Sequence, residues 1–124
     1  MDAVILDTNI LIEILKGNAE TVQTVEAMPG DLCISSITSM ELYYGALNKT
    51  ETVRIEKFLR HFTVLYPDEA LSRRAVDLVK RYAKSHTLNI PDSIIAATAL
   101  SYGYPLMTYN RKDFRFIDGL ELVD

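Results

Sequence analysis

Five short runs rich in apolar residues, separated by longer segments with helical spacing, constrain the fold of this chain most. The runs cover residues 4–6, 32–34, 62–66, 106–108 and 120–123. Short runs of this kind are typical of strands in a parallel sheet that is buried on both faces. Between the runs, apolar residues recur every three or four positions, as in the helix that carries Leu71, Ala75, Leu78 and Tyr82. The alternation predicts an α/β fold: a three-layer α/β/α sandwich with a mostly parallel central sheet of about five strands.

The length and composition predict one domain, spanning residues 1–124. The chain is 48% hydrophobic and 24% charged, which is enough apolar material for an ordinary core and excludes a disordered chain. Its one cysteine, Cys33, has no partner for an internal disulfide, so a reducing, cytoplasmic location is expected. The start of the chain lacks the basic and apolar regions of a signal peptide, and no apolar run approaches the ~20 residues of a spanning helix. We therefore expect no membrane partner.

Four acids fall where the predicted strands end or where the following helices begin. Asp7 directly follows the first strand, and Glu41 lies in the second turn of the helix predicted over residues 36–47. Asp92 opens the apolar helix that leads to the fourth strand, and Asp113 follows that strand. Because ligand sites in open α/β sheets lie beyond the carboxyl ends of the strands, we expect these side chains to meet there.

Each acid also has an ordinary structural explanation. Asp7 fits a helix cap, Thr38 and Glu41 match a capping box, Asp92 suits the first turn of a helix, and Asp113 suits a turn. Together the acids would repel, at about 4 kcal/mol for two charges ~4 Å apart at an effective dielectric near 20, unless protons or a cation neutralise them. Oxygen donors without cysteine or a nearby histidine favour Mg²⁺ or Mn²⁺. Such ions serve phosphodiester hydrolysis, which is the activity the pattern predicts.

Four sequence blocks then resemble the signature blocks of the PIN-domain nucleases, in particular the small VapC-type toxins of prokaryotic toxin–antitoxin pairs. The blocks are ILDTNIL (5–11), SSITSMEL (35–42), IPDSIIAATA (90–99) and TYNRKDF (108–114). They follow one another in the family's order and span almost the whole chain. The resemblance implies a PIN-like domain and a Mg²⁺- or Mn²⁺-dependent endoribonuclease.

The resemblance also assigns roles to individual residues. Asp7, Glu41 and Asp92 match the metal-binding acids of the family, and Thr8 or Asn9 matches the small polar residue that supports the first acid. Many relatives carry an aspartate where this chain has Asn110; others, like this chain, place an acid three residues later, at Asp113. The resemblance further implies a homodimer and a small antitoxin protein as partner.

The charge distribution is compatible with an RNA substrate. The net charge is −4, but without the four site acids the remaining acids equal the 13 Lys and Arg residues. Candidate RNA contacts are Arg111 and Lys112, beside the site, with Arg73 and Arg81 on a basic helix that is also explained as a solvated face. Several tyrosines, Tyr109 among them, are candidates for stacking on bases or for packing.

Other function classes fit the sequence less well. A PIN-like nuclease that processes RNA outside a toxin pair remains open, as does a non-catalytic binding protein, although the intact acidic trio argues against the latter. A receiver-like signalling domain requires an acidic pair after the first strand, and a haloacid-dehalogenase-like phosphatase requires Asp-x-Asp there. Asp7-Thr8-Asn9 supplies neither.

Overall fold

The central sheet of the computed structural model, which describes residues 2–124, has four parallel strands. They are β1 (Ala3–Leu6), β2 (Asp31–Ser35), β3 (Thr63–Leu65) and β4 (Leu106–Met107). Their order in the sheet is β3-β2-β1-β4, so the connection from β3 to β4 crosses the sheet and places β4 beside β1. All four strands lie where the sequence predicts them, and the sheet is parallel as expected.

Six α-helices connect and cover the strands. They are α1 (Thr8–Leu15), α2 (Ala19–Glu26), α3 (Ser36–Tyr44), α4 (Lys49–Leu59), α5 (Glu69–His86) and α6 (Ile90–Tyr102). A short 3₁₀ helix (Arg111–Asp113) follows β4. Within residues 2–124, none of the helices has the length and apolar character needed to cross a bilayer.

The predicted fifth strand is reduced to one residue pair, so the sheet has four strands and not five. Leu122 forms a single parallel bridge with Leu106, whose N–H donates to the carbonyl of Glu121 and whose carbonyl accepts from the N–H of Val123. The physical reason lies in β4: this strand is only two residues long and gives the end of the chain little to pair with.

Helix α3 also ends three residues earlier than the predicted helix over 36–47. Gly45 is its C-cap, and Leu47, which the apolar spacing placed in the helix, is 85% exposed. The apolar spacing predicts too long a helix here, because Leu47 follows the pattern but does not pack in the core.

The core forms two layers, one on each face of the sheet. Alternate residues of β1 point to opposite faces: Ala3 and Ile5 join the layer under α5 and α6, whereas Val4 and Leu6 join the layer under α1, α2 and α4. All four are buried, as expected for a central parallel strand. The three-layer sandwich predicted from the sequence is therefore confirmed, and it directs the carboxyl ends of β1 and β4 to one edge.

Candidate active site

The carboxyl edge of the sheet brings the predicted acids into one region. Asp7 leaves β1 and is the N-cap of α1, and Glu41 lies on α3 after β2. Asp92 lies in the first turn of α6, and Asp113 ends the 3₁₀ helix after β4. Asp7, Glu41 and Asp113 each follow a different strand, and Asp92 follows the turn between α5 and α6, so the fold assembles the group from distant parts of the chain.

Asp7 is buried, and both of its carboxylate oxygens accept hydrogen bonds. Oδ1 accepts from the N–H of Thr8 at 2.8 Å, and Oδ2 accepts from the Thr108 hydroxyl at 2.7 Å. Only 5% of Asp7 is exposed. Burial raises the pKa of Asp7, the two hydrogen bonds lower it, and the charges of Glu41 and Asp113 raise it further, with a net rise. The carboxylate is thus fixed in position, and burial and the neighbouring carboxylates disfavour its negative charge.

Thr108 orients Asp7 and was not among the residues that the sequence suggested for the site. Its hydroxyl donates to Asp7 and accepts from the backbone N–H of Asn110 at 3.0 Å; the Asn9 Nδ2 lies 3.4 Å away. The sequence offers two signals for it, a polar residue at the end of a buried strand and the first position of the block TYNRKDF. Neither signal identifies a partner 101 positions away.

Glu41 is held by a pair of threonines. The Thr8 hydroxyl donates to Glu41 Oε1 at 2.7 Å. Because Thr8 has a single hydroxyl proton, the buried Thr38 must be the donor in the 2.9 Å bond between the two threonines. The capping-box explanation of Glu41 is wrong, since the α3 N-cap is Ser35, whose Oγ accepts from the Ile37 N–H.

Asp92 has the most perturbed acidity in the group. Its backbone N–H donates to the Oδ1 of Asn89, the N-cap of α6, at 2.8 Å. Burial, and after it the charges of Asp7, Asp113 and Glu41 in that order, raise the pKa of its carboxyl to about 7 against the opposing hydrogen bond with Asn89. Asp92 is therefore within electrostatic reach of all three other carboxylates, as a shared site requires. Its ordinary role as a first-turn acid holds at the same time.

The donor chemistry of the group fits a hard divalent cation. All of the side chains concerned offer oxygen, and their mutual repulsion is the condition that such a cation relieves. Within residues 2–124, however, no three acidic, histidine or cysteine side chains are arranged to enclose a metal ion as they stand. Both oxygens of Asp7 and one oxygen of Glu41 are hydrogen-bonded to threonines or backbone. The negative charge and the oxygen donors that a cation needs are present, but the described side chains do not form a complete coordination shell.

The two predicted asparagines lie on either side of Thr108. Asn9 Oδ1 accepts the Tyr109 N–H at 3.3 Å, so Asn9 connects the start of α1 to the segment after β4. Asn110 is exposed, precedes the 3₁₀ helix and uses its backbone N–H on Thr108. Both residues organise the loop that carries Asp113.

The cations predicted to contact RNA differ in their surroundings. Arg111 donates to the backbone carbonyl of Val123, and Lys112 is exposed. On α5, Arg81 pairs with Asp118 at 2.6 Å and Arg73 pairs with Glu69 at 3.5 Å. None of the ion pairs within residues 2–124 joins these cations to the site carboxylates. Arg111 and Lys112 belong to the same 3₁₀ helix as Asp113, whereas Arg73 and Arg81 lie on α5.

Known proteins similar to this chain belong to the family that the four sequence blocks resemble. The family model described as "PIN domain" matches residues 4–120. The chain is 33% identical to "Ribonuclease VapC1" of Rickettsia felis over 96% of this chain and 93% of that protein. It is 34% identical to the "tRNA(fMet)-specific endonuclease VapC" of Shigella flexneri, over 96% and 95% of the two chains. A solved structure described as "Toxin-antitoxin complex from Klebsiella pneumoniae" has a TM-score of 0.81 and 36% identity, covering 94% of each chain.

Proposed function

Because the chain belongs to the PIN domain family and, within it, to the VapC ribonucleases, we propose that it is a Mg²⁺- or Mn²⁺-dependent endoribonuclease that hydrolyses RNA phosphodiester bonds. The observation that carries the metal dependence is the shared charge of the four acids. Burial and three neighbouring carboxylates raise the pKa of Asp92 to about 7, which indicates negative charge that a divalent cation would neutralise.

The site residues have three proposed roles: binding the cation, positioning the acids that bind it, and contacting the RNA. Asp7, Glu41 and Asp92 would hold the cation, with Asp113 as a fourth acid in place of the aspartate that many relatives have at position 110. When bound, a cation of this kind polarises the phosphoryl group and acidifies water. Thr108 and the Thr8 N–H keep the Asp7 oxygens in fixed directions, and Thr8 and Thr38 do the same for Glu41. Lys112 and Arg111 would contact substrate phosphates. Arg73 and Arg81 would have to leave their ion pairs to do so.

The test is RNA cleavage by the purified protein with Mg²⁺, with Mn²⁺ and with EDTA. We expect cleavage with either ion and loss of cleavage in EDTA and in the Asp7→Asn variant. The matched control is Asp77→Asn, an exposed acid on α5 outside the site, which should cleave as the wild type does. Cleavage that survives both EDTA and Asp7→Asn would exclude a metal-dependent mechanism.

We further propose that an antitoxin protein inhibits this chain. The support is the Klebsiella pneumoniae structure, which is described as a toxin–antitoxin complex and has the same fold. The alternative, an RNA-processing nuclease outside a toxin pair, predicts no such partner. Expression of the chain alone should arrest growth, and co-expression of a small protein encoded beside it should restore growth. Normal growth of cells that express an active nuclease would favour the alternative. In either case an RNA substrate implies that the protein acts in the cytoplasm.

A homodimer is also part of the proposal. An apolar groove of about 370 Å³ lies between α5 and α6, and two of its lining residues, Val76 and Ile90, are exposed. Burial of such side chains against a second copy would be favourable. Light scattering should give twice the mass of the 14.0 kDa chain, and the Val76→Asp variant should give the monomer mass. A wild-type monomer at all concentrations would contradict this.

A further inference from the structure

Tyr109 combines exposure with a fixed position at the edge of the site. It lies two residues beyond the end of β4, and 51% of it is exposed. Its hydroxyl hydrogen-bonds to that of Thr21 on α2, a residue with no exposed surface, and its backbone N–H donates to Asn9 at 3.3 Å. The ring is therefore held at both ends while part of its surface remains open to solvent.

Tyr109 is connected to the carboxylate group along the chain and through hydrogen bonds. Thr108 precedes Tyr109 and donates to Asp7, and the N–H of Asn110, which follows, donates back to Thr108. Arg111 and Lys112 come next and provide positive charge. An unpaired RNA strand with a phosphate at Asp7 would therefore have a base in reach of an aromatic surface and phosphates in reach of cations.

The other tyrosines lack this combination. Tyr43, Tyr44 and Tyr66 are exposed, and within the described part of the chain none of their hydroxyls makes a hydrogen bond that would fix the ring. Tyr82 uses its hydroxyl to accept from the Asp118 N–H, but its ring is buried. Tyr102 and Tyr104 stack on each other beside Asp2 and Ala3, at the amino end of β1, which is the far side of the sheet from the site.

We propose that Tyr109 is a stacking platform for the nucleobase of an unpaired nucleotide next to the phosphodiester that is cleaved. This inference rests on the proposed ribonuclease function and adds a binding residue to it. Every base has a π-face, so stacking selects for unpaired RNA and tolerates most sequences. Because the ring is already immobilised by Thr21 and Asn9, little side-chain entropy is lost when a base binds.

The first experiment uses fluorescence, because the chain contains no tryptophan. The Tyr109→Trp variant keeps an aromatic surface and gains a single fluorophore at the proposed platform. An unpaired RNA oligonucleotide, added in EDTA and checked for integrity on a gel, should quench its emission. The matched control, Tyr102→Trp, places the fluorophore at the far end of the sheet and should not respond. RNA binding without quenching at position 109, or equal quenching at both positions, would overturn the proposal.

The second experiment measures RNA affinity under the same conditions. Loss of one stacked base should weaken binding of the Tyr109→Ala variant by about 5- to 150-fold, and Tyr109→Phe, which keeps the ring, should lose less. An abasic oligonucleotide of the same length should bind the wild type and the alanine variant equally. Equal losses with and without bases would assign Tyr109 a purely structural role and overturn the proposal. If the alanine variant does not fold, the tryptophan pair decides alone.

The two proposals can fail separately. If RNA quenches the Tyr109→Trp variant while the wild-type protein binds RNA but never cleaves it, the ribonuclease function is refuted and the stacking proposal stands. Wild-type protein that cleaves RNA, with Tyr109→Ala binding as tightly as wild type, would refute only the stacking platform.

Discussion

Thr108 acts on the carboxylate group directly at Asp7, and it also accepts the Asn110 N–H in the loop that carries Asp113. It contributes one hydrogen bond to a carboxylate that is otherwise held by a single backbone N–H, and it is buried, so water does not readily replace it. A side chain in this position sets the direction of the Asp7 oxygens and opposes the rise of the Asp7 pKa. It is a positioning residue, comparable to the outer partners that orient metal ligands in other sites.

Replacing Thr108 by valine should lower RNA cleavage by roughly 10- to 100-fold, the usual cost of losing such a partner. The shape is kept, but Asp7 Oδ2 loses its donor. The measurement is kcat/KM at saturating Mg²⁺. The matched control is Thr98→Val, a buried threonine on α6 whose hydroxyl bonds the Ile94 carbonyl, and it should keep near-normal cleavage. Equal activity of Thr108→Val and wild type would refute the positioning role.

Asp92 makes the stability of the metal-free protein depend on pH. Its pKa is raised from 3.8 to about 7, so the folded state holds a proton that the unfolded state has lost between these values. Stability should therefore fall as the pH rises through this window. The Asp92→Asn variant, which cannot ionise, should be more stable than wild type at about pH 8, and the difference in Tm should shrink toward pH 5. A difference that is constant with pH would contradict the raised pKa.

Helices α5 and α6 end in the same backbone conformation with different residues. The C-cap of α5 is Thr87 with φ 54°, and that of α6 is Gly103 with φ 69°. Only glycine adopts this left-handed region without a steric cost, and a Cβ at position 103 would meet no other atom within 4 Å. The two positions therefore isolate the backbone effect from packing.

We expect Thr87→Gly to raise, and Gly103→Ala to lower, the free energy of unfolding by about 0.5–1 kcal/mol each. The Thr87 hydroxyl bonds the carbonyl of the preceding His86, and loss of this bond makes the gain at position 87 the smaller of the two changes. Urea denaturation measures both. Changes of the same sign would show that side-chain contacts, and not the left-handed backbone, dominate at these caps.

For the molecule as a whole, a bound cation should stabilise the fold. A ligand that binds only the native state, present at 100 times its Kd, adds about 2.7 kcal/mol. Thermal unfolding should be a single transition, as expected of one domain over residues 1–124, and Mg²⁺ should raise its midpoint by several degrees. The Asp7→Asn variant should show no shift, and Asp77→Asn should shift as wild type does. A wild-type midpoint that ignores Mg²⁺ would contradict the proposed cation site.

The sequence alone was sufficient for the class of fold, and it singled out four acids that the folded chain brings into one region. Buried strands such as β1 are apolar on both faces, and a helix such as α5 carries an apolar stripe, so local pattern predicts both. The apolar pattern did not predict the number of strands correctly, because a strand forms only where a neighbouring strand is long enough to pair with it. Residues 120–123 look like a strand, yet β4 offers them a single residue to pair with.

Only the tertiary structure decided how the acids are held. Local spacing explains Asp92 as a first-turn acid, but its pKa depends on burial and on carboxylates from three other connections of the sheet. Local spacing also suggested a capping role for Glu41, whereas the folded chain binds it to Thr8, 33 positions away. Thr108 and Tyr109 show the same limit, because their partners Asp7 and Thr21 are distant in sequence. Residue type and spacing determine which elements form, while contacts between elements fix the acidity and direction of each side chain.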